Sequence, residues 1–184
     1  YEVEHDPHNA QESAWLVYLF LFGWFLVWVY TGMMLRGPAQ QDVFYRFGIS
    51  RFEYRWWTFF TCTFLHGGFM HLLGNSLFFW LYGASLEKLV GSFKFLLLYL
   101  VGAFLSVNIQ ILTMNELQAY EPCIGASGAV SAILGCFFVM LPRARLRCLF
   151  FSPISFRPIM ILAPAWLVLG LWFGGQLLFT LGVM

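Results

Sequence analysis

His66-Gly-Gly-Phe-Met-His71-Leu-Leu-Gly-Asn75 and Gly125-Ala126-Ser127-Gly128-Ala129 are the stretches in which hydrogen-bonding side chains gather at the ends of apolar, membrane-length segments. Burying such groups costs free energy unless they find partners or carry a task. A serine between glycines at one segment end, and two histidines with an asparagine at another, are parts from which a nucleophilic site inside a bilayer can be assembled.

Composition places the chain in a membrane before any motif is weighed. Of 184 residues, 60% are hydrophobic, 21% aromatic and only 10% charged, and the mean hydropathy is positive; no water-soluble domain of this length tolerates such a surface. A net charge of +1 leaves no basic field for nucleic acid, and no patch interleaves Lys or Arg with aromatic platforms. Cys62, Cys123, Cys136 and Cys148 lack C-x-x-C spacing and have no histidine at ligand intervals. They predict neither a zinc site nor a disulfide framework, but small apolar packing residues.

A spanning helix needs about 20 mostly apolar residues, and five segments qualify, near residues 14–35, 69–86, 95–112, 124–141 and 158–179. The expected fold is an all-α, polytopic membrane helix bundle behind a polar tail of residues 1–13. The first span is expected to stay as an anchor rather than be a cleavable signal, because its flank (Glu2, Glu4, Asp6, Glu12) is acidic where a basic one is needed. His5 and His8 in that tail are expected to be solvated. The chain opens at Tyr1 rather than Met and stops just past an apolar run, so both ends are expected to be trimmed.

Basic loops tend to stay cytoplasmic. Lys88 and Lys94 follow span two, and Arg143, Arg145, Arg147 and Arg157 follow span four, which puts those loops and the N-terminus inside. The segment 36–65 and the short one 113–123 are then outside, although the former carries Arg36, Arg46, Arg51 and Arg55. It mixes these with Phe44, Tyr45, Phe47, Phe52, Tyr54, Trp56 and Trp57, a blend that suits the headgroup region and predicts an interfacial structure on the outer membrane face.

A serine hydroxyl attacks an amide when a base takes its proton and donors stabilise the oxyanion. Ser127 is expected about 5 Å into span four, with Gly125 and Gly128 leaving room for a substrate backbone and free N–H groups at the helix start favouring negative charge. Alone this is weak: Gly128, Ser131, Ala132 and Gly135 also form a small-residue face of the kind that packs membrane helices together, and a sixth helix is its expected occupant. His71 and Asn75, spaced i, i+4, share one helical face at the outer end of span two, with His66 in the loop above across Gly67-Gly68. Asn and neutral His are suitable oxyanion donors, each worth about 3 kcal/mol of transition-state stabilisation.

Here the sequence resembles the rhomboid intramembrane serine proteases. The pattern H-x-x-x-x-H-x-x-x-N is present as His66, His71 and Asn75, and G-x-S-G as Gly125, Ser127 and Gly128; Trp57, Glu87 with Gly91, and Trp166 with Gly170 match as well. The resemblance runs from about Arg36 to Met184. It implies a six-helix core that cleaves single-span membrane proteins near the outer face, by a Ser-His dyad without metal or cofactor, its partners being the substrate's transmembrane helix and the bilayer, with a membrane complex as an open option. In that family the dyad histidine lies on the sixth span, in an A-H-x-x-G setting, and this sequence stops before such a span. His66 and His71 fill the loop and oxyanion positions, so residues 1–184 alone are expected to be inactive and a sixth span is expected in the parent protein.

The rival reading is a catalytically inactive membrane subunit that uses the same fold to hold partner helices. It draws on the missing base and on aromatic residues such as Phe78, Phe79, Trp80, Trp166 and Trp172. A transporter is disfavoured, because Glu87, Glu116 and Glu121 are all expected in loops rather than within spans.

Overall fold

The computed structural model describes residues 13–116, 118–151 and 158–180; His5, His8 and Arg157 lie outside them. The chain divides into two compact units, Tyr1–Ile133 and Leu134–Met184.

In the first unit, α1 (Trp15–Trp28) runs on through a π-helical turn, Val29–Met34. It is apolar all round, so its sequence cannot say which side is buried. Packing decides: Leu16, Val17, Phe20 and Trp24 are buried at helical spacing, and Phe20 stacks on Tyr99 with ring centroids 4.3 Å apart while Trp24 meets Phe79 at 4.8 Å. Residues 36–65 carry short helices. Pro38 starts α2 (Pro38–Phe47), followed by α3 (Thr58–Thr61) and a 3-10 turn, Cys62–Phe64. Phe47, Phe52, Tyr54, Trp56 and Trp57 of this segment are exposed.

The second apolar segment is α4 (Phe69–Phe78), a π-helical turn (Phe79–Gly83) and α5 (Ala84–Val90) in unbroken succession. Gly91, at φ +84, ends it and leads into α6 (Ser92–Thr113), the left-handed conformation being one that glycine adopts freely. Trp15–Met34 and Ser92–Thr113 are long and apolar enough to cross a membrane, and Ser127–Met140 and Ala165–Leu177 are shorter apolar helices.

Glu87 departs from expectation. It belongs to α5, not to a loop, and is fully buried. Its carboxylate accepts the backbone N–H groups of Leu16 and Val17, both at 3.0 Å, and the Ser92 hydroxyl at 2.7 Å. The first N–H groups of a helix have no partner within it, and no side chain of α1's own N-cap residue, Ala14, supplies one. Glu87 does so from another helix, with the charge at the favourable end of the helix dipole.

Part of the small-residue face meets α6. A Cβ on Gly102 of α6 would come within 2.5 Å of the Ala132 Cβ, and one on Gly128 would collide with the Ser106 side chain. Glycines at these two contacts let α6 and the start of α7 (Ser127–Met140) approach backbone to backbone.

The fold is all-α in its bulk, but in the second unit the fifth expected span begins later than residue 158. Instead of a helix from residue 158, β1 (Arg145–Phe151) pairs antiparallel with β2 (Pro158–Pro164), and only then does α8 (Ala165–Thr180) begin. A proline with no N–H to donate stands at each end of β2, and the residue before proline is biased away from the helical region; the helix therefore starts after Pro164.

Candidate active site

The site is built at the start of α4, from the loop before it and the loop before α7. His66 lies in the loop and is 1% exposed. Its Nδ1–H donates to the Phe64 carbonyl at 3.3 Å, which assigns Nε2 as the lone-pair nitrogen; that atom is buried without a hydrogen-bond partner. Burial, then the neighbouring His71, push its pKa down to about 4, so the ring is neutral at physiological pH. The rings of His66 and His71 meet edge to face, 5.2 Å between centroids.

His71 and Asn75 share a face of α4, His71 exposed and Asn75 1% exposed. Neither Nδ2 nor Oδ1 of Asn75 has a hydrogen-bond partner. A buried amide left unpaired costs on the order of 1–3 kcal/mol, a cost that a ligand atom or an ordered water would relieve.

Gly125 closes the arrangement. It adopts φ +120, and a Cβ there would stand 2.6 Å from His71 Nε2 and 3.8 Å from Asn75 Nδ2. Backbone bonds fix this loop: Gly125 N–H donates to the Cys62 carbonyl at 2.9 Å, and Cys123 pairs with Ile49 in both directions, at 2.6 and 3.0 Å. Because helix cannot continue back through a residue at φ +120, α7 starts at Ser127 itself rather than near residue 124. Ser127 is thus in the first turn, half-buried, beside the free N–H groups of the helix start. Its hydroxyl makes no side-chain hydrogen bond among the described residues. Gly128 serves the α6 contact described above, not the open side of the site.

All six residues expected from the sequence (His66, His71, Asn75, Gly125, Ser127 and Gly128) therefore fall within one unit, and Gly125 links the two motifs directly. Sequence reasoning missed the Cys62 carbonyl and the Ile49–Cys123 pairing, which are backbone contacts with no side-chain signature. Cys62 is buried, and burial pushes its thiol up, as suits an inert packing group.

The family described as Rhomboid domain matches residues 53–181, and the chain belongs to the rhomboid family, whose members are integral membrane proteins. It is similar to the rhomboid protease GlpG of Salmonella newport, 30% identical over 173 residues that cover 90% of this chain and 56% of the relative. GlpG of Salmonella choleraesuis is 32% identical over 155 residues, 80% of this chain and 51% of the relative. The rhomboid protein YdcA of Bacillus subtilis is 35% identical over 97 residues, 53% of this chain and 46% of the relative. The chain spans about half the length of these relatives.

Proposed function

We propose that this chain carries the nucleophile and oxyanion site of an intramembrane serine endopeptidase. Its substrates are single-span membrane proteins cut near the outer face, within the bilayer. The observation that carries the reading is the Gly125 backbone against His71 Nε2 and Asn75 Nδ2, two residues before Ser127. In this mechanism Ser127 attacks the scissile carbonyl, and the developing oxyanion is received by the Asn75 amide, His71 and N–H groups at the start of α7. His66, neutral and edge-on to His71, holds that ring in place. The general base is a histidine on a sixth span that this sequence does not include, and neither metal nor cofactor takes part.

The experiment uses the chain extended through that span. A fluorophosphonate probe should label it, and Ser127→Ala should abolish both labelling and cleavage of a detergent-solubilised single-span substrate. Asn75→Ala should lower kcat about 10²-fold with little change in KM. Residues 1–184 alone should not cleave. Equal labelling after Ser127→Ala removes the nucleophile assignment, and absence of cleavage in the extended chain with its histidine favours a scaffold for partner helices instead. The accompanying topology, N-terminus cytoplasmic and site outward, predicts that an impermeant thiol reagent added outside sealed cells reaches Cys123 and spares Cys148.

A further inference from the structure

Charge in this chain is divided between the two units. Residues 134–184 contain Arg143, Arg145, Arg147 and Arg157 and no acidic residue, whereas residues 1–133 hold all nine carboxylates against six basic residues. Three of the four arginines stand at the foot of the β1–β2 hairpin. Its register sets Arg145 opposite Pro164 and Arg147 opposite Leu162; further along, every row is apolar: Cys148 with Ile161, Leu149 with Met160, Phe150 with Ile159 and Phe151 with Pro158. The foot is closed by the Ala165 N–H donating to the Ala144 carbonyl at 2.9 Å, where the strands join α7 and α8. Arg143 and Arg145 are exposed there.

Such a hairpin has no stable place in water. Two isolated strands are marginal on their own, and apolar rows over both faces would add the cost of hydrating them. Both neighbouring helices are apolar, so a bilayer is the medium within reach. Seven residues per strand reach about 23 Å at roughly 3.3 Å per residue, too far for the headgroup layer to cover if the hairpin stood upright. We infer that the β1–β2 hairpin is an anionic-lipid anchor: it lies in the membrane interface with its apolar end at the acyl boundary, and the exposed Arg143 and Arg145 at its foot engage the phosphates of anionic headgroups. Guanidinium matches phosphate oxygens with paired donors, and basic side chains beside an anionic surface each add attraction that salt screens. This inference rests on membership of a membrane-protein family and not on the protease reading.

Hydrogen exchange of the full chain in lipid nanodiscs tests it. In an equal mixture of phosphatidylglycerol and phosphatidylcholine, the amides of β1 and β2 should exchange at least about tenfold more slowly than in phosphatidylcholine alone. High salt should erase the difference, and so should the combined Arg143→Gln and Arg145→Gln variant, while exchange in α6 stays unchanged as the control for folding. If the variant disturbs α6, the lipid and salt comparisons on the unaltered chain decide. Equal exchange in the two bilayers overturns the inference and leaves a protein as the hairpin's occupant; a difference that persists in high salt, or in a folded variant, overturns the arginine–phosphate contact.

Discussion

The His71 imidazole stands against the backbone of Gly125 so closely that a single added carbon would lie 2.6 Å from Nε2. The two residues are distant in sequence, and their contact fixes where the serine loop sits above α4. Gly125 is held there by φ +120 as well as by space, so substitution meets both a strained backbone and a ring that must move.

Gly125→Ala should therefore lower kcat/KM of the extended protein by about 10²-fold, the loss expected of a reacting group displaced by about 1 Å. Gly74→Ala, on α4 beside His71 with nothing within 4 Å of the new carbon, should be neutral or stabilise by up to about 1 kcal/mol. Probe labelling and melting temperature of both variants check this; equal activities would mean that the loop is not tied to His71.

Gly128→Ala should cost about 1–3 kcal/mol by forcing α6 and α7 apart at Ser106. Removing the obstacle with Ser106→Gly should restore most of that loss. A double-mutant cycle on thermal unfolding in detergent measures the coupling, and additive effects would refute the contact.

Glu87→Ala should destabilise by about 3 kcal/mol, since it strands the Leu16 and Val17 N–H groups in a buried setting. Ser92→Ala removes one of the three bonds and should cost about 1 kcal/mol. Glu87→Gln should fall between, keeping an acceptor without the charge. Thermal unfolding ranks the three, and a harmless Glu87→Ala would refute the cross-helix cap.

His66 sets a pH dependence whose sign follows from its depressed pKa. Unfolded, the ring binds a proton near pH 6.5; folded, only near about 4. Between those values the unfolded state holds more protons, so stability is fully present above about 6.5 and is lost as pH falls toward 4, by about 3 kcal/mol in all. Melting temperature against pH reads the slope, and His66→Asn should flatten most of it. An unchanged slope in that variant would assign it elsewhere.

The arrangement of the candidate site was legible because its polar residues repeat at helical spacing. His71 and Asn75 are four residues apart and do share a face, and the glycine before Ala126-Ser127 does meet them. Glu87 was misread because the apolar run ends just before it: hydropathy marks where a span stops being greasy, not where its helix ends, and a carboxylate with three donors is stable on a buried helix. The hairpin was hidden for a related reason. The run from Pro158 is as apolar as a helix and short enough to be a strand, and only its pairing with Arg145–Phe151 distinguishes the two. The α6 contact was missed because a small-residue face says that something comes close, not which helix does.

The π-helical turn Phe79–Gly83 sits between the two ends of one continuous helical stretch, with His71 and Asn75 toward one end and Glu87 toward the other. Such turns hold one residue more than the α-helix would, and each residue rotates the helix by about 100°. The surplus residue thus acts as a phase shifter. Deleting a single residue between Phe79 and Gly83 would leave the site's own helix intact, yet swing Glu87 about a quarter turn or more from Leu16 and Val17. The length of this helical stretch is therefore constrained to the residue, even where its apolar side chains are interchangeable.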